Sequence, residues 1–392
     1  MPHAAAPLIV DAQGVSEMAS VLRANKIIGV DTEFIRETTF FPKIALIQVA
    51  TRDQSWLLDP TALSKDDLQP FLDVLYDRSI LKVMHAAFAD QEVLYWSYGQ
   101  TAEPVLDTAV AAALCGYGDS VGLAKLTKDV LRVHLHKGRA RVKWLARPLS
   151  NELLHYAQQD VEFLVELAER MEATLRKKGR WDWALEESYI NPGDFDTPPE
   201  EIAHRLAKSG QLDETTYLVL QELVRWREDR ARKSNLPRSW VADNEVLVAL
   251  ARSRPKSVTE LRSFRGIGPK EIDRSGDAIM RAIDTGVRTP KDQANLPQRN
   301  YAAAEVDSHA LDLLKAYMAL LSAKYEIAPR FLLRTGRAAD LVVSCESEPQ
   351  AWVEKGIVSQ SAATVVGRDL KDFLSGKLLL AIQRGRVEIV HR

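Results

Sequence analysis

The sequence predicts a mixed α/β domain over residues 1–190, followed by two helical blocks at 205–288 and 305–392. Three observations carry this. Short apolar runs of strand length alternate with helical spacing up to about Asp107, and helical spacing alone follows. The segment Asn191-Pro192-Gly193-Asp194-Phe195-Asp196-Thr197-Pro198-Pro199 is a cluster of breakers, the signature of a domain boundary. A second breaker-rich segment, from Thr289 to about Arg299, separates the two helical blocks. At 392 residues the chain fits two to three domains of roughly 100–200 residues each.

Taken in order, residues 15–24 have helical spacing. Ile28-Gly29-Val30-Asp31-Thr32-Glu33-Phe34 reads as a buried strand, and Ile44 to Ala50 as a second. Ser55 to Asp59 is a third, ended by Pro60. Leu68 to Tyr76 is helical, Ile80 to His85 a strand, and Asp90 to Trp96 a helix. Ala109–Cys115 and Leu123–Leu131 are helical, and Asn151 to Arg176 reads as one long amphipathic run. Each helical block starts with a long helix, continues through a Pro-Arg pair (Pro237-Arg238 and Pro329-Arg330) and ends in an apolar helix, Ile279–Ile283 and Leu378–Ile382. That pattern suggests a duplicated module.

Composition excludes several classes. Hydrophobic content of 46% and charged content of 27% are those of a soluble globular chain. The formal net charge is -2, so any nucleic-acid contact must come from local patches. Two distant cysteines, Cys115 and Cys345, make neither a disulfide framework nor a zinc site. No secretory pattern is visible at the start, and no apolar run approaches the ~18 residues of a membrane span. The expectation is a cytoplasmic protein without membrane contact.

The chemistry is expected around Asp31 and Glu33. Residues two apart on a strand share a face, so these carboxylates lie side by side. Paired acids repel and resist ionisation unless a cation sits between them, and hard divalent cations take carboxylate oxygens. The competing reading is an edge strand with two solvated acids. The apolar run from Ile27 to Val30 argues against it. Asp90 sits at a helix start, where an N-cap and a ligand are both compatible. Asp107 reads mainly as an N-cap and is left out of the site. Tyr156 and Asp160 are four apart, hence on one helix face, beside Leu153, Leu154, Ala157 and Val161. By itself this last pair suits a surface acid with a half-exposed tyrosine. Taken together, four carboxylates are the number that holds two divalent ions for phosphodiester hydrolysis.

At this point the sequence resembles the DEDD superfamily of 3′→5′ exonucleases in its tyrosine branch, and looks like the bacterial ribonuclease D family. The resemblance rests on Val30-Asp31-Thr32-Glu33-Phe34, Leu46-Ile47-Gln48, His85-Ala86 with Asp90 and Glu92, and Asp107-Thr108 with Ala111-Ala112-Ala113. It continues through Trp144-Leu145-Ala146-Arg147-Pro148-Leu149 to Tyr156-Ala157 and Asp160-Val161. It implies a ribonuclease H-like α/β exonuclease domain followed by two all-α HRDC-like domains. It further implies Asp31, Glu33, Asp90 and Asp160 as ligands of two divalent cations, Mg²⁺ or Mn²⁺, with Tyr156 positioning the nucleophile. The implied reaction releases nucleoside 5′-monophosphates from RNA with a single-stranded 3′ end, such as tRNA precursors. A DNA exonuclease with the same centre, or a non-cleaving nucleic-acid-binding protein, are the alternatives.

One stretch departs from the family pattern. Leu135 to Trp144 is far more basic than the corresponding family segment. Lys137, Arg139, Arg141, Lys143 and Arg147 are expected to contact phosphates, against the plainer reading of a solvated loop. In the first helical block Gly266-Ile267-Gly268-Pro269-Lys270 precedes a helix. It is read first as a tight turn and second as a phosphate site using Lys270, with Arg262 and Arg265 nearby. Arg227, in the cationic run Arg225 to Lys233, is a further candidate for nucleic-acid contact.

Overall fold

The computed structural model describes residues 3–135, 142–208, 212–296 and 306–392. The first domain is built on a six-stranded sheet, in the order β1-β4-β3-β2-β5-β6. Its strands are β1 (Leu8–Ile9), β2 (Ile27–Ile35), β3 (Lys43–Ala50), β4 (Ser55–Leu58), β5 (Leu81–Met84) and β6 (Val105–Asp107). Strands β2, β3 and β4 form an antiparallel meander, and β5 and β6 extend it in parallel. Helices α1 (Ala12–Arg23) and α2 (Lys65–Tyr76) cover one face, burying Val15, Met18, Phe71 and Leu72 against Ile28 and Val30. Helix α3 (Phe88–Tyr98) follows β5. The other face is covered by α4 (Thr108–Cys115), α5 (Leu123–Leu131), α6 (Asn151–Glu162), α7 (Leu164–Lys177) and α8 (Trp181–Ser188).

The run from Asn151 to Arg176, expected to be one helix, is two. Phe163 lies between them with φ −107° and ψ 0°, and its carbonyl accepts the first bond of α7 from the Leu167 N–H. No proline or glycine marks this break, so the apolar spacing runs through it unchanged. The joint passes directly over Gly29. A Cβ there would stand 3.1 Å from both the Val161 carbonyl oxygen and the Leu164 Cβ, so the bare backbone is what lets α6 lie close on β2.

The first helical block comprises α9 (Pro199–Lys208), α10 (Glu214–Ser234), α11 (Arg238–Val241), α12 (Asn244–Ser253), α13 (Val258–Leu261) and α14 (Pro269–Arg288). The second comprises α15 (Ser308–Tyr325), α16 (Pro329–Leu332), α17 (Ala338–Val343), α18 (Pro349–Glu354) and α19 (Gln360–Leu374). Here the sequence expectation needs correcting: Leu378–Gln383 is not a helix. It is β7, paired antiparallel with β8 (Arg386–His391). Arg384 and Gly385 both have positive φ, 48° and 77°, which is the geometry of a two-residue hairpin turn. A six-residue apolar run does not distinguish strand from helix by periodicity.

Each block meets the first domain through the C-terminal end of its long helix. Asn235, left-handed at the end of α10, accepts the N–H groups of Phe40 and Phe41 at 3.0 Å, and Arg238 lies 4.5 Å over the Phe40 ring. Glu326, left-handed at the end of α15, pairs with Lys178 at 2.6 Å, and Arg180 donates to the Tyr325 carbonyl at 2.7 Å. The second block goes further and shares a core with the first domain. Leu314, Tyr317, Phe331 and Trp352 belong to the same buried cluster as Leu114, Leu126, Leu167 and Trp183. A chain ending near Pro199 is therefore expected to expose that apolar surface. It should melt well below the full chain, or aggregate, when followed by circular dichroism. A fragment melting like the full chain would show that the shared core adds nothing to the first domain.

Candidate active site

Strand β2 presents Asp31 and Glu33 on the face toward α6, and α6 lays Tyr156 and Asp160 across it from successive turns. Carboxylate oxygens of Asp31, Glu33 and Asp160 all lie within 4.8 Å of one another. Asp90 reaches β2 from α3, and not as an N-cap. Ala87 occupies the cap without a side-chain bond. Asp90, 7% exposed, instead accepts from the Thr32 N–H at 3.1 Å and the Thr32 hydroxyl at 2.5 Å. The helix-start preference of aspartate yields here to a bond across 58 residues of chain. Sequence reasoning missed Thr32, whose neighbours are both acids of the strand.

The electrostatics follow from burial and crowding. Desolvation, then Asp90, Asp160 and Glu33, hold the Asp31 carboxyl well above the usual carboxylate range. Desolvation, with Asp160 and Asp90, pushes Glu33 up to about 8. Burial raises Asp160 to about 7, against the hydrogen bond from Tyr156, which favours its anion. Burial raises Asp90 to about 6, against the Thr32 bonds. All four acids are thus harder to ionise than they would be in water. Their oxygens are the donors that a hard divalent cation takes, and its charge would remove the repulsion. The residues present therefore fit such an ion. Tyr156 stacks on the buried Trp144, with ring centroids 6.2 Å apart and planes at 29°. Burial, then Asp160 and Glu33, raise its phenol above the ordinary value, so the hydroxyl keeps its proton.

Asp107 caps α4 through the Ala109 N–H at 2.8 Å, as the sequence suggested. It also accepts from the N–H groups of Ala86 and Ala87, at 2.9 and 3.0 Å. Ala86 is left-handed, with φ 56°, a conformation costly for a residue with a Cβ. Asp107 thus holds the turn that delivers α3, and with it Asp90.

The candidate phosphate contacts fare differently. Lys137, Arg139 and Arg141 lie outside the described residues. Lys143 is exposed. Arg147 is not a free cation: it pairs bidentately with the buried Asp59, at 2.5 and 2.7 Å, and donates to the carbonyls of Ala45 and Trp144. Arg227 is likewise corrected. It is 2% exposed, paired with Glu228 at 3.1 Å and bonded to Asn244 at 2.6 Å, because α10 turns it into the block's interior. Around it Arg225 pairs with Glu200 and Arg230 with Glu271. Gly266, with φ 100°, packs against Val246, which gives the tight turn a packing reason. Lys270 is exposed in the first turn of α14.

Comparison with known proteins identifies the family. The 3′–5′ exonuclease family model matches residues 8–176, and the HRDC domain model matches residues 218–283. Ribonuclease D of Bartonella henselae is 31% identical over 378 residues, covering 94% of this chain and 90% of its own. Ribonuclease D of Sphingobium indicum is 30% identical, covering 98% of each. Among solved structures, RNase D of Escherichia coli, an exoribonuclease involved in structured RNA processing, aligns with a TM-score of 0.81 at 26% identity. That alignment covers 96% of this chain and 99% of the other.

Proposed function

The chain belongs to the ribonuclease D family, and on that premise we propose that Asp31, Glu33, Asp90, Asp160 and Tyr156 form the catalytic centre, with tRNA precursors as its substrate. The family makes the chain a hydrolytic 3′→5′ exoribonuclease with divalent-metal dependence. The observation that supports the residue assignment is the convergence of Asp31, Glu33 and Asp160 within 4.8 Å, with Tyr156 on the same helix face. A pair of Mg²⁺ or Mn²⁺ ions bound by the four carboxylates would activate the attacking water and stabilise the departing oxygen.

The chain's own residues supply the rest. Asp31 and Glu33 are fixed by the β2–β3 ladder, so their spacing does not have to be created when substrate arrives. Thr32 anchors Asp90 through two bonds and thereby locks α3 to β2. Tyr156 keeps its proton and is held by its stack on Trp144, which supports a role in donating to or orienting an attacking water beside Asp160. The expected product is a nucleoside 5′-monophosphate. Free Cys115 and Cys345 are in keeping with a reducing compartment, hence the cytoplasm. Among the described residues no helix is long and apolar enough to cross a membrane.

The test is a 5′-labelled tRNA precursor with a 3′ extension, beside an unstructured RNA of equal length. The expected result is stepwise shortening from the 3′ end that slows at mature length, and none in EDTA. Equal degradation of both RNAs would remove the tRNA assignment, and cleavage in EDTA would remove the cations. Lys270 is proposed as a phosphate contact on the first helical block. Lys270→Glu is expected to weaken RNA binding and to reduce the slope of log K against log salt by about 0.7–0.9. Fluorescence anisotropy across a salt series measures both, and an unchanged slope would place Lys270 off the RNA path.

A further inference from the structure

Gln48 lies in the middle of β3 and is 0% exposed. Neither its Nε2 nor its Oε1 has a hydrogen-bond partner among the described residues. Enclosing a primary amide without partners costs several kcal/mol against leaving it in water, roughly 1–3 by mutational measures. A chain that keeps such a group at the centre of a sheet needs a reason for it. Its surroundings exclude most of them. Directly across one strand pair is Leu57, across the other is Asp31. Residues opposite one another on paired strands point to the same face, so Gln48 shares the α6 side of the sheet with Asp31. Leu46, Leu57 and Ala157 of that layer are buried in one apolar cluster, and Glu33, Tyr156 and Asp160 lie further along the same face. Of these polar side chains, the one that the register sets directly opposite the amide is Asp31. Asp31 in turn is a carboxylate with four lone-pair sites to fill.

We infer that Gln48 is a positioning residue for the catalytic centre: when the cation is bound, its unpartnered amide N–H₂ donates to Asp31 across the strand pair and fixes that carboxylate as a ligand. Ligating carboxylates are commonly held by an outer donor that sets their orientation. An amide suits this position better than a lysine, because it orients the acid without competing for its charge. The inference rests on the assignment of Asp31 to the metal centre.

The test uses the full chain and reads cation affinity, not activity. Gln48→Met keeps the volume and removes the amide. Mn²⁺ binding is followed by electron paramagnetic resonance, and the melting temperature in EDTA by circular dichroism. The expected result is a 10–100-fold weaker Mn²⁺ affinity with a melting temperature in EDTA that is unchanged or higher, since an unpaired buried amide has been removed. Wild-type affinity in Gln48→Met overturns the inference. So does a lower melting temperature with unchanged affinity, which would mean that the amide serves the fold. If the variant does not fold, a crystal structure of the wild-type chain with Mn²⁺ decides. Gln48 Nε2 within about 3.2 Å of an Asp31 oxygen supports the inference, and a separation beyond about 3.5 Å overturns it. Wild-type chain that binds no Mn²⁺ would instead remove the metal centre itself, a distinguishable result.

Discussion

Replacing Asp31 with alanine is expected to lower single-turnover cleavage by at least about 10⁴-fold, the scale on which a member of a cooperating catalytic unit is lost. Glu33→Ala and Asp160→Ala should do the same, because the three carboxylates converge on one point. The fold should survive, and in EDTA it should be firmer. Asp31 and Glu33 have folded pKa values above their ordinary ones, so the folded metal-free chain binds protons more tightly than the unfolded chain. For Glu33 that favourable contribution is complete below the ordinary value of 4.5 and is lost as pH rises through about 8. The metal-free wild type should therefore melt higher at pH 5 than at pH 8, and Glu33→Gln should flatten the difference. Asp90→Ala should also abolish cleavage, but with the opposite effect on stability. It discards two bonds to Thr32, worth together about 1–3 kcal/mol. Thermal melts of the four alanine variants and of Glu33→Gln in EDTA at both pH values check this. Near-wild-type cleavage by any one at saturating Mg²⁺ would remove that residue from the centre.

What could be read from the sequence and what could not divide along chain distance. Asp31 with Glu33, and Tyr156 with Asp160, are local pairs whose shared face follows from the strand or helix repeat. Their convergence needs only that α6 pack on β2, which the apolar set around Ala157 already implies. The bonds that reassign residues are long-range. Arg147 is taken up by Asp59, 88 positions earlier, and Asp90 by Thr32, 58 positions earlier. A run of cations looks the same in sequence whether its arginines face water or, like Arg227, are turned inward against a glutamate. The hairpin of β7 and β8 was illegible for another reason. Its Arg384-Gly385 turn lacks the asparagine or aspartate that usually announces the type, and β7 is too short to show a period. The break at Phe163 left no trace because only the chain's course over Gly29 calls for it.

Tyr156→Phe is the sharper test of mechanism, because it removes one atom. The ring should keep its place on Trp144, since the stack at 6.2 Å does not involve the hydroxyl. Mn²⁺ affinity should change little, because the phenol stays protonated beside the acids and is not counted among the ligands. Only the donor to the Asp160 region is lost. If that donor orients the attacking water, the single-turnover rate falls by roughly 10²–10⁴, the range for one positioned proton-handling group. Binding of RNA should be unchanged, so the whole loss appears in the rate at saturating RNA. Asp160 provides an internal check. The Tyr156 hydrogen bond lowers its pKa, so without the hydroxyl the Asp160 carboxyl of the metal-free chain should titrate higher than about 7. Tyr156→Ala separates packing from chemistry. It should lose the same hydroxyl and also the stack on Trp144, adding a stability cost of about 0.5–1.5 kcal/mol for the aromatic pair. Wild-type turnover in Tyr156→Phe, with only Tyr156→Ala impaired, would make the residue a packing partner of Trp144 and leave the water to be positioned by the carboxylates alone.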